Sequence, residues 1–309
     1  MLTGRSFFDP ALIEKWGCAF IRQDKIDEAL SRLIHGVRIT KGSFSCPGHA
    51  EPRDLVWNHM DQNHRPLIHR TYGEAMRAYI GERGAFSLTR FGNWPMLIPV
   101  FDGHFKENGF YQILCLFGVI VVVNIIECYD TADGTRMDIS WAIASHRLLV
   151  FLHPLINRRL RRLNRVQNVE DEVIRRRRTE LRALGYRFVT DEPDFMNSNA
   201  RTNNVVFPRL KRPYSIVVGE LEEGHTRRVE IDDRAYVVRR TKDRLEVWPG
   251  VCPHEGAALE CANLDDAVIR CPWHGLAHGR RVLDPDGIEV QMCGARLSLA
   301  HDRLNIRPE

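Results

Sequence analysis

Two thiols and two imidazoles in matched pairs constrain this chain more than any other feature: Cys252-Pro253-His254, sixteen intervening residues, then Cys271-Pro272-Trp273-His274. A C-x-H pair and a C-x-x-H pair set four ligands on two loops of a small unit. Zinc would accept the same atoms, since a Cys2His2 tetrahedron is a common structural site. Eight cysteines in 309 residues are too few for a disulfide scaffold. The first twenty residues lack the basic start and unbroken apolar core of a signal peptide, so a cytoplasmic, reducing setting is expected. There, clustered Cys and His point to metal rather than crosslinks.

The length predicts two domains. Residues 190–213 are rich in Asn, Asp and Pro and poor in periodic apolar residues, which predicts a linker (196–212) between an N-terminal domain (1–195) and a C-terminal one (213–309). The latter reads as all-β, from short alternating runs such as YSIVVGEL, RAYVVRR, RLEVWPG, AVIRCP and ARLSLAH. The N-terminal part opens with helices, turns strand-like between Gly109 and Ala144, and closes in a helix over His153–Gly185 whose apolar residues keep three-and-four spacing. The longest apolar run, Phe110–Ile126, is β-branched at its centre and interrupted by Gln112, Gly118 and Asn124, which predicts buried strands rather than a membrane span. The arginine runs 158–162 and 175–178 read as a solvated face, and no aromatic residues are interleaved for stacking on bases. A net charge of +4 adds no general attraction for polyanions, so no nucleic-acid partner is expected.

The segments CPHEGAAL and CPWHG resemble the two cluster loops of Rieske [2Fe-2S] domains, in which two Cys hold one iron and two His the other. Cys252, His254, Cys271 and His274 are the cluster ligands that this resemblance implies. High-potential members carry an extra Cys in each loop; Ala257 and Trp273 stand in those places, which implies the low-potential type. Cys261 and Cys293 read as small core residues.

A Rieske cluster passes single electrons, so something else must consume them. Asn58-x-x-Asp61-x-x-His64-x-x-x-x-His69 is similar to the N-x-x-D-x-x-H-x-x-x-x-H motif of Rieske non-heme iron oxygenases. In an ideal helix these histidines would point about 140° apart, but Pro66 between them breaks the helix and makes convergence feasible. The resemblance implies an α+β chain: a START-like helix-grip catalytic domain and a small all-β Rieske domain. It further implies that His64 and His69 bind a mononuclear Fe(II) and that Asp61 bridges toward a cluster histidine. A carboxylate on the closing helix should complete the triad. The acidic run after Asn168, a candidate N-cap, offers Asp171, with Glu170 in reserve because it lies nearer the centre of the apolar stripe. His59 adjoins the motif.

The resemblance spans nearly the whole chain in an unusual order, because the familiar oxygenases place the Rieske domain first. It implies a homotrimer and a separate NAD(P)H-dependent reductase or ferredoxin; no G-x-G-x-x-G fingerprint for direct nicotinamide binding is present. The expected activity is O2-dependent hydroxylation or related oxidation of a hydrophobic organic substrate. A different class also fits: an electron-carrying, ligand-binding protein with no catalytic iron. A zinc-stabilised nucleic-acid binder is a third reading.

Overall fold

The computed structural model describes residues 25–61, 64–80, 84–91, 96–106, 108–132, 134–191, 204–208, 214–217, 221–240, 244–261, 263–264, 268–279, 289–291, 296–300 and 303–307. The chain divides into two compact units, Met1–Thr179 with Thr190–Ala200, and Glu180–Val189 with Arg201–Glu309. Most of the expected linker, residues 196–203 and 209–212, lies outside the described residues, as does Cys293.

The first unit is a seven-stranded antiparallel sheet in the order β1-β7-β6-β5-β4-β3-β2 with a long closing helix. Its strands are β1 (Val37–Gly48), β2 (Tyr72–Ile80), β3 (Gly84–Phe91), β4 (Leu97–Lys106), β5 (Gly109–Leu116), β6 (Ile120–Thr131) and β7 (Gly134–His146). Among the described residues, three helices precede β2: α1 (Ile26–Leu33), α2 (Pro52–Met60) and the one-turn α3 (Arg65–Ile68). A 3-10 stretch, Arg147–Leu152, leads into α4 (His153–Ala183).

The apolar run forms β5 and β6, joined where Phe117 and Gly118 both take positive φ, 56° and 71°. It is continuous because both faces of the sheet are covered. On β6, Ile120, Val122 and Ile126 join one core with α2 and the start of α4, while Val123 and Ile125 join another with Ile26 and Leu30 of α1. Among the described residues, four strands, β1 to β4, precede Gly109, where the sequence predicts helices. They mix Gly, Pro and charged residues into a half-buried surface, so no apolar run marks them.

The second unit is all-β among the described residues apart from short helical turns and the end of α4. Strands β8 (Arg187–Phe188) and β9 (Val205–Val206) pair with each other, and β11 (Thr226–Ile231), β12 (Arg234–Arg240), β13 (Arg244–Pro249) and β17 (Glu289–Gln291) form one antiparallel sheet. Strands β14 (Asn263–Leu264), β15 (Val268–Arg270) and β16 (Ala277–Gly279) form another, and β10 (Tyr214–Val217), β18 (Arg296–Ala300) and β19 (Arg303–Arg307) a third. Each of the five alternating runs supplies a strand. The α+β class, with a helix-grip unit followed by a small all-β unit, is the architecture observed.

Candidate metal centres

The chain leaves the helix between Asp61, the C-cap of α2, and His64, which brings the two motif histidines together; Pro66, expected to make the break, sits inside the first turn of the next helix. α2 ends at Met60, and α3 is a single turn with His64 at its N-cap and His69 at its C-cap. Both side chains are buried, as is Asp171 on α4. One ligand atom from each of His64, His69 and Asp171 lies within 4.8 Å of the other two. Asp171 Oδ1 stands 3.4 Å from His64 Nε2 and 3.2 Å from His69 Nε2.

The opposite nitrogen of each ring also faces a carboxylate. His64 Nδ1 is 3.4 Å from Asp61 Oδ2, and His69 Nδ1 bonds Glu170 Oε2 at 3.0 Å. A carboxylate on Nδ1 fixes the tautomer and turns Nε2 toward the site, as outer partners of metal-bound histidines do. Asp171 and Glu170 therefore divide the labour: Asp171 faces both histidines, and Glu170 grips one from behind.

Burial works against charge on Asp171, but the Arg175 guanidinium and His64 hold its carboxyl well below the usual range. Arg175 Nη2 donates to Asp171 Oδ2 at 2.9 Å, its Nε to Asn58 Oδ1 at 2.7 Å and its Nη1 to Asn168 Oδ1 at 2.8 Å. Asn58 Nδ2 in turn lies 3.3 Å from both His64 Nε2 and Asp171 Oδ1. For His64, burial opposes protonation, yet Asp171 and Asp61 together raise its pKa; for His69 burial prevails and lowers it. Burial and then Arg175 push His59 well below its ordinary value, so its neutral Nε2 can accept from Arg175 Nη2 at 3.2 Å.

Three expectations about this region need correction. Arg175 and Arg178 are buried rather than solvated; Arg178 Nε bonds Asp54 Oδ1 at 3.1 Å, and its guanidinium lies 3.9 Å above the Trp57 ring. Val173, counted in the apolar stripe, is exposed. Asn168 is no N-cap, because α4 runs unbroken from His153, and its amide donates to Asn164 O at 2.8 Å. The helix turns arginines inward because Asp54 and Asp171 wait there, which an apolar-periodicity reading cannot register.

A small cleft, partly open to solvent, adjoins the triad. Ten of its twelve lining residues are polar or charged, with only Ile126 and Ile139 apolar. The expected hydrophobic pocket is thus not what these residues form. Most apolar side chains of β5 and β6 fill the cores, and Gln112 and Asn124, the two polar interruptions of the run, face the cleft together with Ile126. Those interruptions were the available signal.

In the second unit, the two ligand loops repeat one geometry. Gly256 N donates to Cys252 O at 2.9 Å with φ +90°, and Gly275 N to Cys271 O at 2.8 Å with φ +62°. These left-handed turns suit glycine and aim amides at sulfur: those of His254 and Glu255 at Cys252, and that of Trp273 at Cys271. His254 Nδ1 and His274 Nδ1 are 3.1 Å apart, and Cys271 Sγ is 3.6 Å from His274 Nδ1. The hydrogen bond from Cys252, and then His274, bring Cys271 down to about 5, while burial raises Cys252. The first loop is braced from below, with Asn204 Nδ2 on Glu255 Oε1 at 2.7 Å and Asn204 N on Pro253 O at 2.8 Å. Ala257 and Trp273 are buried, so neither loop carries a second thiol at those places.

Two thiols and two imidazole Nδ1 atoms suit a [2Fe-2S] cluster held by two Cys and two His. Two imidazole Nε2 atoms and one carboxylate suit a mononuclear iron with open positions. Residues 214–284, which hold all four ligands of the second centre, match the family model of the Rieske [2Fe-2S] domain. No curated protein matches the chain. Among solved structures, the di-domain ARO/CYC BexL from the BE-7585A biosynthetic pathway is similar at 8% identity and TM-score 0.40, over 53% of this chain and 60% of that one. The chain thus spans less than two thirds of that protein's length. Norcoclaurine synthase from Thalictrum flavum is similar at 12% identity and TM-score 0.32, over 39% of this chain and 77% of that one. The Mll3558 protein from Rhizobium loti is similar at 15% identity and TM-score 0.35, over 44% and 99%. At these levels the assignment of the first unit rests on its own sheet and helix. No helix among the described residues is long and apolar enough to cross a membrane. Residues 214–284 are a Rieske [2Fe-2S] domain, and electron transfer through an iron–sulfur cluster is the chemistry such a domain carries.

Proposed function

We propose that this protein is a Rieske-type oxygenase in which electrons relayed through the [2Fe-2S] cluster support O2-dependent oxidation of an organic substrate at a mononuclear Fe(II). The observation that carries this reading is the buried triad, with His64 Nε2, His69 Nε2 and an Asp171 oxygen within 4.8 Å of one another. An electron carrier alone has no use for three further ligand groups buried together in its other unit.

His64, His69 and Asp171 would hold the iron, and Cys252, His254, Cys271 and His274 the cluster. The mononuclear iron supplies, when bound, open positions for O2 beside the substrate. The protein's own groups do the rest. Arg175 keeps Asp171 ionised, and Glu170 holds His69 by Nδ1. Asp61 sets its carboxylate at His64 Nδ1. Electrons come from a separate NAD(P)H-dependent reductase or ferredoxin.

Metal analysis tests the proposal. Protein loaded anaerobically with iron and sulfide should hold about three irons and two inorganic sulfides per chain, the cluster accounting for two irons. His64→Ala and His69→Ala should each keep the visible absorption of the cluster, lose the third iron and oxidise no organic substrate when reduced in the presence of O2. Two irons in the unaltered protein, or O2-dependent oxidation surviving in both variants, would overturn it. A colourless, zinc-loaded protein would overturn the cluster assignment as well.

A further inference from the structure

The triad's cleft carries a row of side-chain amides that the proposed chemistry does not use. Asp102, Gln112 and Asn124 stand opposite one another on β4, β5 and β6, forming a transverse row on one face of the sheet. Gln112 Nε2 donates to Asp102 Oδ1 at 2.7 Å, and Asn124 Nδ2 to Gln112 Oε1 at 3.3 Å. Asp102 also takes Arg65 Nη2 at 3.4 Å. The pairing with Arg65 makes Asp102 the acceptor, which fixes the Gln112 amide and then the Asn124 amide. Asn124 Oδ1 is left as a buried acceptor, with no hydrogen-bond partner among the described residues. Asn124 is 5% exposed. On the α4 wall of the same cleft, Asn164 Nδ2 and Gln167 Nε2 are buried donors in the same condition. An unmatched buried polar atom costs about 1–3 kcal/mol, so three around one cleft point to a ligand that satisfies them. The fixed charges on the lining, Arg65 and Asp171, are already met by Asp102 and Arg175.

We infer that the cleft takes a neutral polar substrate carrying at least one hydrogen-bond donor, for Asn124, and one acceptor, for Asn164 and Gln167. A carboxamide or lactam group has both. A hydrocarbon would leave these amides unmatched, a carboxylate brings no donor for Asn124 Oδ1, and an ammonium brings no acceptor for Asn164 and Gln167. This inference rests on the oxygenase reading for its site and deepens it by naming the substrate class.

Equilibrium dialysis of the full-length protein, without O2 or reductant, against benzamide, 2-piperidone, ethylbenzene, benzoate and benzylamine tests it. Benzamide and 2-piperidone should bind, each with affinity lowered about tenfold in Asn124→Leu and in Gln167→Leu. Ethylbenzene, benzoate and benzylamine should bind at least about tenfold more weakly than benzamide. Should Asn124→Leu lose its fold, Gln167→Leu and Asn164→Leu on the partly exposed helix wall decide the matter. Ethylbenzene binding as tightly as benzamide, no binding of either amide, or unchanged benzamide affinity in the folded variants would overturn the inference. Iron content is read separately, so selectivity for amides can stand if the third iron is absent, and a third iron can stand if the selectivity fails.

Discussion

Arg175 Nη2 donates to Asp171 Oδ2 at 2.9 Å, and by occupying that oxygen it leaves Oδ1 to His64 and His69. The same guanidinium holds Asn58 and Asn168, so one residue sets the rotamer and the charge of the proposed third ligand. Removing one partner of a buried ion pair leaves the other uncompensated, a loss of about 3–5 kcal/mol. Arg175→Leu should lower the urea midpoint of the first unit by a corresponding amount. It should also lose the third iron while the cluster spectrum persists. Arg175→Lys should restore part of the stability, because the charge returns without the fork that reaches Asn58 and Asn168. Full iron occupancy in Arg175→Leu would show that Asp171 needs no such partner.

Asp171 and Glu170 are adjacent in sequence and take different roles, which makes them separable. Asp171→Asn removes the charged oxygen that both histidines face and should abolish binding of the third iron. Glu170→Gln changes only the group behind His69 Nδ1 and should weaken Fe(II) binding about 10- to 100-fold, the usual penalty for an outer partner of a metal-bound histidine. Anaerobic Fe(II) titration of protein with an intact cluster distinguishes them. The reverse order would make Glu170 the ligand.

Legibility in the sequence followed the range of the interaction. The cluster loops were legible because ligands one and two residues apart, with Gly256 and Gly275 beyond them, are local geometry written in local residues. Convergence of His64 and His69 was half legible, since Pro66 signals that no single helix carries both histidines but marks the first turn of a new helix rather than the break at Asp61. Asp171 over Glu170 needed the resemblance, because an apolar-wheel argument favours Glu170. Arg175 and Arg178 were misread since their partners, Asp54 and Asp171, sit on a remote helix and a preceding turn of the same helix, and charge pairing outweighs apolar periodicity there. The row of Asp102, Gln112 and Asn124 depends on strand register, which no single strand reveals.

Gly256 is fixed twice over. Its φ of +90° disfavours any side chain, and a Cβ there would lie 2.9 Å from Leu181 Cδ1 and 3.1 Å from Phe188 Cε1. Gly256→Ala should cost about 2 kcal/mol or more from left-handed strain and overpacking together. The strain falls on the loop that holds Cys252 and His254, so the purified variant should show bleached visible absorption and substoichiometric sulfide, with the triad's iron unaffected. A Gly256→Ala protein with a full cluster spectrum would mean that the loop relaxes without cost.

His153, at the start of α4, is buried with Nδ1 2.8 Å from Thr40 Oγ1 and Nε2 2.8 Å from Ser145 Oγ. Burial lowers its pKa below 6.5, so the folded state favours the neutral ring. A group whose folded pKa is depressed binds fewer protons in the native state, so its stabilising contribution is present above the unfolded value near 6.5 and is lost as pH falls through the folded one. Urea midpoints should therefore decline from pH 7.5 toward 5, and His153→Gln, which keeps a donor and an acceptor but does not titrate, should flatten that part of the decline. His59 and His69, whose pKa values are also lowered, and Cys271 add to the decline, while His64, whose pKa is raised, opposes it. A His153→Gln profile parallel to that of the unaltered protein would show that the ring's two hydroxyl partners compensate its protonation.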